Sequence, residues 1–208
     1  MKIAAAIGAC MLLMGAATPI IISLTDHSIR SMPRDWSVLS GHNNAWNWAH
    51  GKVTVHDDFG EAMLVSGKDY GDFTLSADVT AISREASFVI RVKDPGDCYL
   101  ITFTPGGTSW AEHSRPHIRF VKQTAGDATV LASFGGEKFK AFGNKVKMEI
   151  TACGSTISVR LNGVEVLTTS DDSYPTGRIG FRVAGNGRHP SNATYSDVRM
   201  QTSVSKPN

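Results

Sequence analysis

The chain has 208 residues, of which 41% are hydrophobic, 19% charged and 8% aromatic; this composition excludes wholesale disorder and fits one domain, or one domain with a targeting segment. Twenty-one Lys and Arg against 19 Asp and Glu leave a formal charge of +2, too near neutrality for a polyelectrolyte partner of nucleic acid. Three cysteines exclude a disulfide-dense scaffold and a multi-cysteine zinc module.

Lys2 precedes an uncharged run from Ile3 to Leu24. A short basic start followed by an apolar run is the pattern of a secretory signal, and Gly15-Ala16-Ala17 offers small residues for cleavage. The same run is long enough to cross a bilayer uncleaved. Residues 1–24 are therefore read as a signal peptide or membrane anchor, the only expected contact with a membrane, and residues 25–34 as a linker. The body of the chain is expected outside the cytoplasm, secreted or periplasmic. In that oxidising setting Cys98 and Cys153 make an even pair, which a disulfide joins only where the Cα separation allows it.

From Lys52 onward the apolar period is two. Phe73, Leu75, Ala77, Val79 and Ala81 alternate with polar neighbours, and Phe88, Ile90 and Val92 alternate with Ser87, Val89, Arg91 and Lys93. Val146, Met148, Ile150 and Ala152 repeat the pattern, followed by Ile157, Val159 and Leu161 and then Ile179, Phe181 and Val183. Alternation of this kind predicts antiparallel strands with one face in a core. Turn residues fall between the runs, at Asp94-Pro95-Gly96-Asp97, Gly154-Ser155 and Asn162-Gly163. Asn-Gly is the strongest of these signals, because both residues accept the positive φ of a type I′ hairpin turn. Many short strands without intervening helices predict an all-β, two-sheet antiparallel sandwich over residues 35–202, preceded by the N-terminal apolar segment and followed by a flexible tail at 203–208.

The order of motifs is also familiar. Asp35-Trp36-Ser37-Val38 leads to Trp46-Asn47-Trp48-Ala49-His50-Gly51-Lys52-Val53, then to Tyr70-Gly71-Asp72-Phe73 and Phe88-Val89-Ile90-Arg91-Val92. Cys98-Tyr99-Leu100-Ile101-Thr102-Phe103, Gly177-Arg178-Ile179-Gly180-Phe181 and Ala193-Thr194-Tyr195-Ser196-Asp197-Val198 complete the series. The series resembles the concanavalin A-like jelly roll in its laminin-G-like branch, and most of all the 3-keto-disaccharide hydrolase family, from about Asp35 to Met200. The resemblance implies a jelly roll, and as an activity the cleavage of a keto-glycoside by proton abstraction beside a carbonyl. The same fold serves binding modules, glycosidases and adhesion domains, so fold alone does not decide between them.

The residues themselves favour binding. The Glu-x-Asp-x-x-Glu signature of laminarinase-type jelly rolls is absent, and the segment where that face would carry acid reads His117-Ile118-Arg119-Phe120-Val121-Lys122, which is basic. Alternation aims Arg91, Arg119, His117 and Arg182 away from the core, where they would form a donor-rich groove for sugar hydroxyls, carboxylates or sulfates. Trp46, Trp48 and Trp110 are flat enough to stack on a pyranose. Trp110 lies in a loop, whereas Trp36 and Trp48 travel with the strand framework. The ligand site is therefore assigned to Arg91, Arg119, His117, Trp110 and Arg182, with His117 as the candidate base for the catalytic alternative. No metal site is predicted: His113 and His117 would converge only on a helix, which Pro116 opposes. No cofactor is expected; calcium would suit oxygen ligands such as Asp72 or Asp197. The expected partner is carbohydrate. A glycan-binding domain, a keto-glycoside-cleaving enzyme and a purely structural or adhesive domain are the three functions in play.

Overall fold

The computed structural model describes residues 20–23, 31–57, 60–83, 85–105, 116–136, 139, 142–184 and 191–202. Among them the chain runs through β1 (Ile20–Ser23), β2 (Trp36–Ser40), β3 (Trp46–Ala49), β4 (Lys52–Asp57) and β5 (Glu61–Ser66). It continues through β6 (Phe73–Ser83), β7 (Ala86–Asp94), β8 (Asp97–Thr104), β9 (His117–Thr124) and β10 (Asp127–Gly135). The last strands are β11 (Lys145–Cys153), β12 (Thr156–Leu161), β13 (Val164–Ser170), β14 (Arg178–Ala184) and β15 (Ser191–Thr202).

The strands form two antiparallel sheets. The first has the order β13-β12-β11-β6-β15-β4-β3, and the second β10-β9-β8-β7-β14-β5-β2. Strand β1, cut from the end of the apolar N-terminal run, pairs with the far half of β15, Ile20 opposite Thr202 and Ser23 opposite Arg199. The rest of that run, residues 25–30 of the linker, and the tail at 203–208 lie outside the described residues. No described helix is long and apolar enough to cross a membrane.

The predicted alternation holds in the first sheet. Phe73, Leu75, Ala77, Val79 and Ala81 of β6 are buried while the residues between them are partly exposed, and β11 and β12 repeat this. Asn162 and Gly163 both take positive φ, 51° and 82°, as an Asn-Gly hairpin turn requires. Between the sheets, aromatic rings make a continuous stack. Trp36 lies parallel to Phe181 at 5.5 Å, Phe181 meets Tyr195 at 4.4 Å, and Trp48 meets Trp36 edge-on at 5.3 Å. Trp48 is thus core and offers no free face for stacking on a sugar, whereas Trp46 is half-buried against the same core.

The second sheet is apolar on parts of both faces. Its inner face joins the main core, and its outer face carries a second buried cluster of Met63, Val65, Val89, Val92, Cys98, Leu100 and Val121. This is why Ala62 to Val65 in β5 and Phe88 to Ile90 in β7 read as unbroken apolar runs. Cys98 is buried and free within that outer cluster, whereas Cys153 ends β11 on the first sheet. The two cysteines belong to different sheets and do not form the disulfide that their even count allows.

Candidate functional site

Arg91 does not face solvent. Its φ of +52° is left-handed, and pairing slips beside it, between Ile90 and Asp94 toward β8 and between Arg178 and Gly180 toward β14. The bulge breaks the period of two and turns the side chain inward. The approach is close enough that a Cβ on Gly177 would stand 2.3 Å from the Arg91 carbonyl carbon, so only glycine fits opposite the bulge. With its side chain fully buried, Arg91 donates to three carbonyls in three different loops: from Nη1 to Tyr174 at 3.1 Å, and from Nη2 to Gly154 at 2.6 Å and Gly71 at 3.2 Å. Burial lowers its pKa, opposed by Tyr99 and by Asp72 at 3.9 Å. Arg91 ties loops together, and the outward placement that alternation predicts is corrected.

The outer face of the second sheet holds the other basic residues. Register links Ser133 to Arg119, Arg119 to Thr102, Thr102 to Ser87, Ser87 to Arg182, and Arg182 to Met63. One row of side chains therefore crosses six strands. Arg119 and Arg182 stand three strands apart in it, about 14 Å at the usual strand spacing. The next row outward contains His117 opposite Thr104, and Glu61 opposite Ala184. The next row inward is apolar, with Val121, Leu100, Val89 and Val65. The face is thus polar on one half and apolar on the other.

Arg182 sits in the polar half, 8% exposed. Its Nη2 donates to Glu61 Oε2 at 2.7 Å and its Nη1 to Glu85 Oε1 at 3.0 Å. Burial pulls its pKa down, but the hydrogen bond it donates to Glu61 and the charges of Glu61 and Glu85 outweigh this, and the net shift is upward. Arg182 does stand on the outer face, as alternation predicts, but as the shared cation of two carboxylates. Arg119 on β9 is exposed and His117 is half-buried. The structure thus brings Arg119, His117 and Arg182 to one face and leaves Arg91 elsewhere. Trp110 lies outside the described residues.

Glu61 and Glu85 were not expected here. They are 24 positions apart in the chain and meet only because β14 lies between β5 and β7. Short-range spacing carries no trace of that order. Two carboxylates and two guanidiniums make this half of the face close to neutral, which suits hydroxyl-rich ligands better than sulfates. Among the described residues no group of three or more His, Cys, Asp or Glu is placed to hold a metal ion. Asp72 and Asp197 have other duties: Asp72 accepts from the Gly154 N–H at 2.8 Å and Asp197 from Arg199 Nε at 2.8 Å.

Comparison with known proteins places this architecture. Residues 30–201 match the 3-keto-alpha-glucoside-1,2-lyase-like domain. The chain belongs to that family. No curated protein matches it. Among solved structures, a carbohydrate-binding module, CBM66, from Bacillus subtilis superposes with a TM-score of 0.61 at 20% identity, covering 79% of this chain and 94% of that one. A Bacillus subtilis protein with a galectin-like fold gives 0.64 at 13% identity, covering 90% and 96%. A β-glucanase from Bacillus licheniformis gives 0.60 at 11% identity, covering 91% and 100%. These likenesses establish the concanavalin A-like jelly roll for this family member; identities this low speak for the fold alone.

Proposed function

We propose that the polar half of the second sheet's outer face binds a neutral glycan. The observation that carries this is the Arg182 guanidinium held between Glu61 and Glu85, with Arg119 and His117 on the same face. Carboxylates accept from sugar hydroxyls and the exposed Arg119 guanidinium donates to them, so opposite signs in neighbouring rows of one face match a polyol, whose every hydroxyl does both. Membership of a sugar-processing family supports the reading. The domain acts outside the cytoplasm, delivered by the N-terminal apolar run. Titration calorimetry with methyl α-glucoside and longer α-glucosides tests it. Arg182→Leu, which leaves two carboxylates without their cation, is expected to abolish binding. A wild-type protein that binds none of these sugars overturns the proposal.

Family membership favours a second reading, cleavage of a 3-keto-α-glucoside. A base, His117 or one of the carboxylates, takes the proton from carbon 2. The C–H electron pair forms an enolate whose negative charge rests on the carbon 3 oxygen. That pair then makes the C1–C2 double bond as the bond from carbon 1 to the aglycone oxygen breaks, and the departing oxygen takes a proton from a second acid. Incubation with methyl 3-keto-α-glucoside tests this through the ultraviolet absorbance of the conjugated enone. Loss of turnover in His117→Ala would assign the base to His117, and loss in Glu85→Gln to the carboxylate.

A further inference from the structure

Among the described residues every strand arginine but one is engaged. Arg91 holds its three carbonyls, Arg160 pairs with Glu149 at 3.5 Å, and Arg178 donates to the Lys93 carbonyl at 3.0 Å. Arg182 is held by Glu61 and Glu85, and Arg199 pairs with Asp197 at 2.8 Å. Arg119 has neither a hydrogen bond nor an ion pair among the described residues. It is exposed on β9 between Ile118 and Phe120, which are 0% and 1% exposed and anchor the strand in the core. Its neighbours across the row are Ser133 and Thr102, and along its own face His117 and Val121; none is acidic. Arg182, around which Glu61 and Glu85 gather, stands three strands away, about 14 Å. Exposed charges are screened over about 8 Å at physiological ionic strength. The positive charge of Arg119 and the net negative charge of the Arg182 group therefore do not cancel, and the face has a positive end and a negative end.

We infer that Arg119 binds the carboxylate of an acidic sugar at one end of a glycan whose hydroxyls lie against Glu61 and Glu85. This rests on the glycan reading of the same face and extends that ligand by one uronic acid. The planar guanidinium fork matches a carboxylate through two parallel hydrogen bonds. A phosphate brings about two negative charges at neutral pH, more than one guanidinium offsets. Both ends of the face are open to solvent: Arg119 is exposed, and the Glu61 and Glu85 side chains are 37% and 23% exposed. A ligand reaches these groups without any buried group moving. The charges also fix its direction. Turned end for end, the uronic carboxylate stands against Glu61 and Glu85, where like charges repel. Arg119 thus selects an acidic glycan and sets the polarity in which it lies.

Titration calorimetry tests this with maltotriose and with its two counterparts that carry glucuronic acid at one end or at the other. The readout is the affinity for each acidic sugar relative to maltotriose, so a general weakening of sugar binding does not enter it. In wild type one acidic isomer, and not the other, is expected to bind about fivefold tighter than maltotriose, and rising salt is expected to erode that gain. The ratio is expected to fall to about one in Arg119→Gln and to recover in part in Arg119→Lys, which restores the charge without the fork. Lys145→Gln makes the same change in net charge at an exposed position of β11 in the first sheet and is expected to leave the ratio as in wild type; thermal unfolding checks that each variant is folded. Maltotriose bound with no gain for either acidic isomer, an equal gain for both, a gain that survives Arg119→Gln, or one that Lys145→Gln also removes overturns the inference and leaves the glycan reading standing. Wild type binding none of the three sugars overturns both.

Discussion

Arg91 shows how one side chain can be misread and still matter. Its guanidinium bridges Gly71, Gly154 and Tyr174, each in a different connection between strands. Removing it leaves three loop carbonyls without their charged donor. Arg91→Met, similar in length and without donors, is expected to lower unfolding stability by about 3 kcal/mol, measured as a shift of the urea midpoint at unchanged m-value. Arg91→Lys is expected to recover only part of this, since one ammonium does not reproduce a planar fork. Alternation misplaces Arg91 because a left-handed bulge at a non-glycine residue has no signature in composition. The turn at Asn162 and Gly163 is legible for the opposite reason: both residue types are there because they tolerate positive φ. Glu61 and Glu85 fall in the illegible class too, as ordinary acidic residues near strand ends until the strand order is known.

Elements in this fold are fastened by side chains that cross from one to another. Tyr195 reaches from β15 in the first sheet to the seam of β7 and β14 in the second, and is fully buried. Tyr195→Phe keeps the ring packing and strands the Ser87 N–H, so a loss of about 1–3 kcal/mol is expected in the same urea assay. A second fastening closes the connection from β13 to β14. Asp171 accepts from the Tyr99 hydroxyl, from Lys122 Nζ at 3.0 Å and from the Ser173 N–H at 3.0 Å. Burial pushes the Asp171 carboxyl's pKa up, but the hydrogen bonds from Tyr99, Ser173 and Lys122 outweigh it and hold the pKa well below the usual carboxylate range. A carboxyl that is more acidic in the folded state than in the unfolded one stabilises the fold above its unfolded pKa. That stabilisation is lost as the pH falls from there toward the folded value. Wild type should therefore exceed Asp171→Asn in stability at pH 7, with the difference shrinking steadily below about pH 4. Urea midpoints of the two proteins at pH 7, 4 and 3 check the sign; a constant difference would assign the effect to shape and not to charge.

At the scale of the molecule, the sandwich was readable because period-two runs and turn residues are local, whereas the order of strands in each sheet is not. The apolar half of the second sheet's outer face belongs to that hidden layer: Val89 and Leu100 look like exposed strand residues until both faces are seen to be covered. Cys98 reports on this cluster. It is 0% exposed, its thiol donates to Gln123 Oε1 at 3.3 Å, and burial pushes its pKa up to about 12. A thiol at that value is almost entirely protonated at mildly alkaline pH and makes a poor nucleophile. The native protein is expected to resist iodoacetamide at Cys98 and to become fully alkylated in urea, as read by mass spectrometry of the tryptic peptide. Where the slow native reaction proceeds only through global unfolding, its rate follows the unfolded population. Arg91→Met, destabilised by about 3 kcal/mol, should then accelerate it by about two orders of magnitude, because each 1.4 kcal/mol is tenfold. Arg91 lies well away from the site's carboxylates, so an unchanged rate in that variant would mean that the outer cluster opens by itself while the rest of the sandwich stays folded.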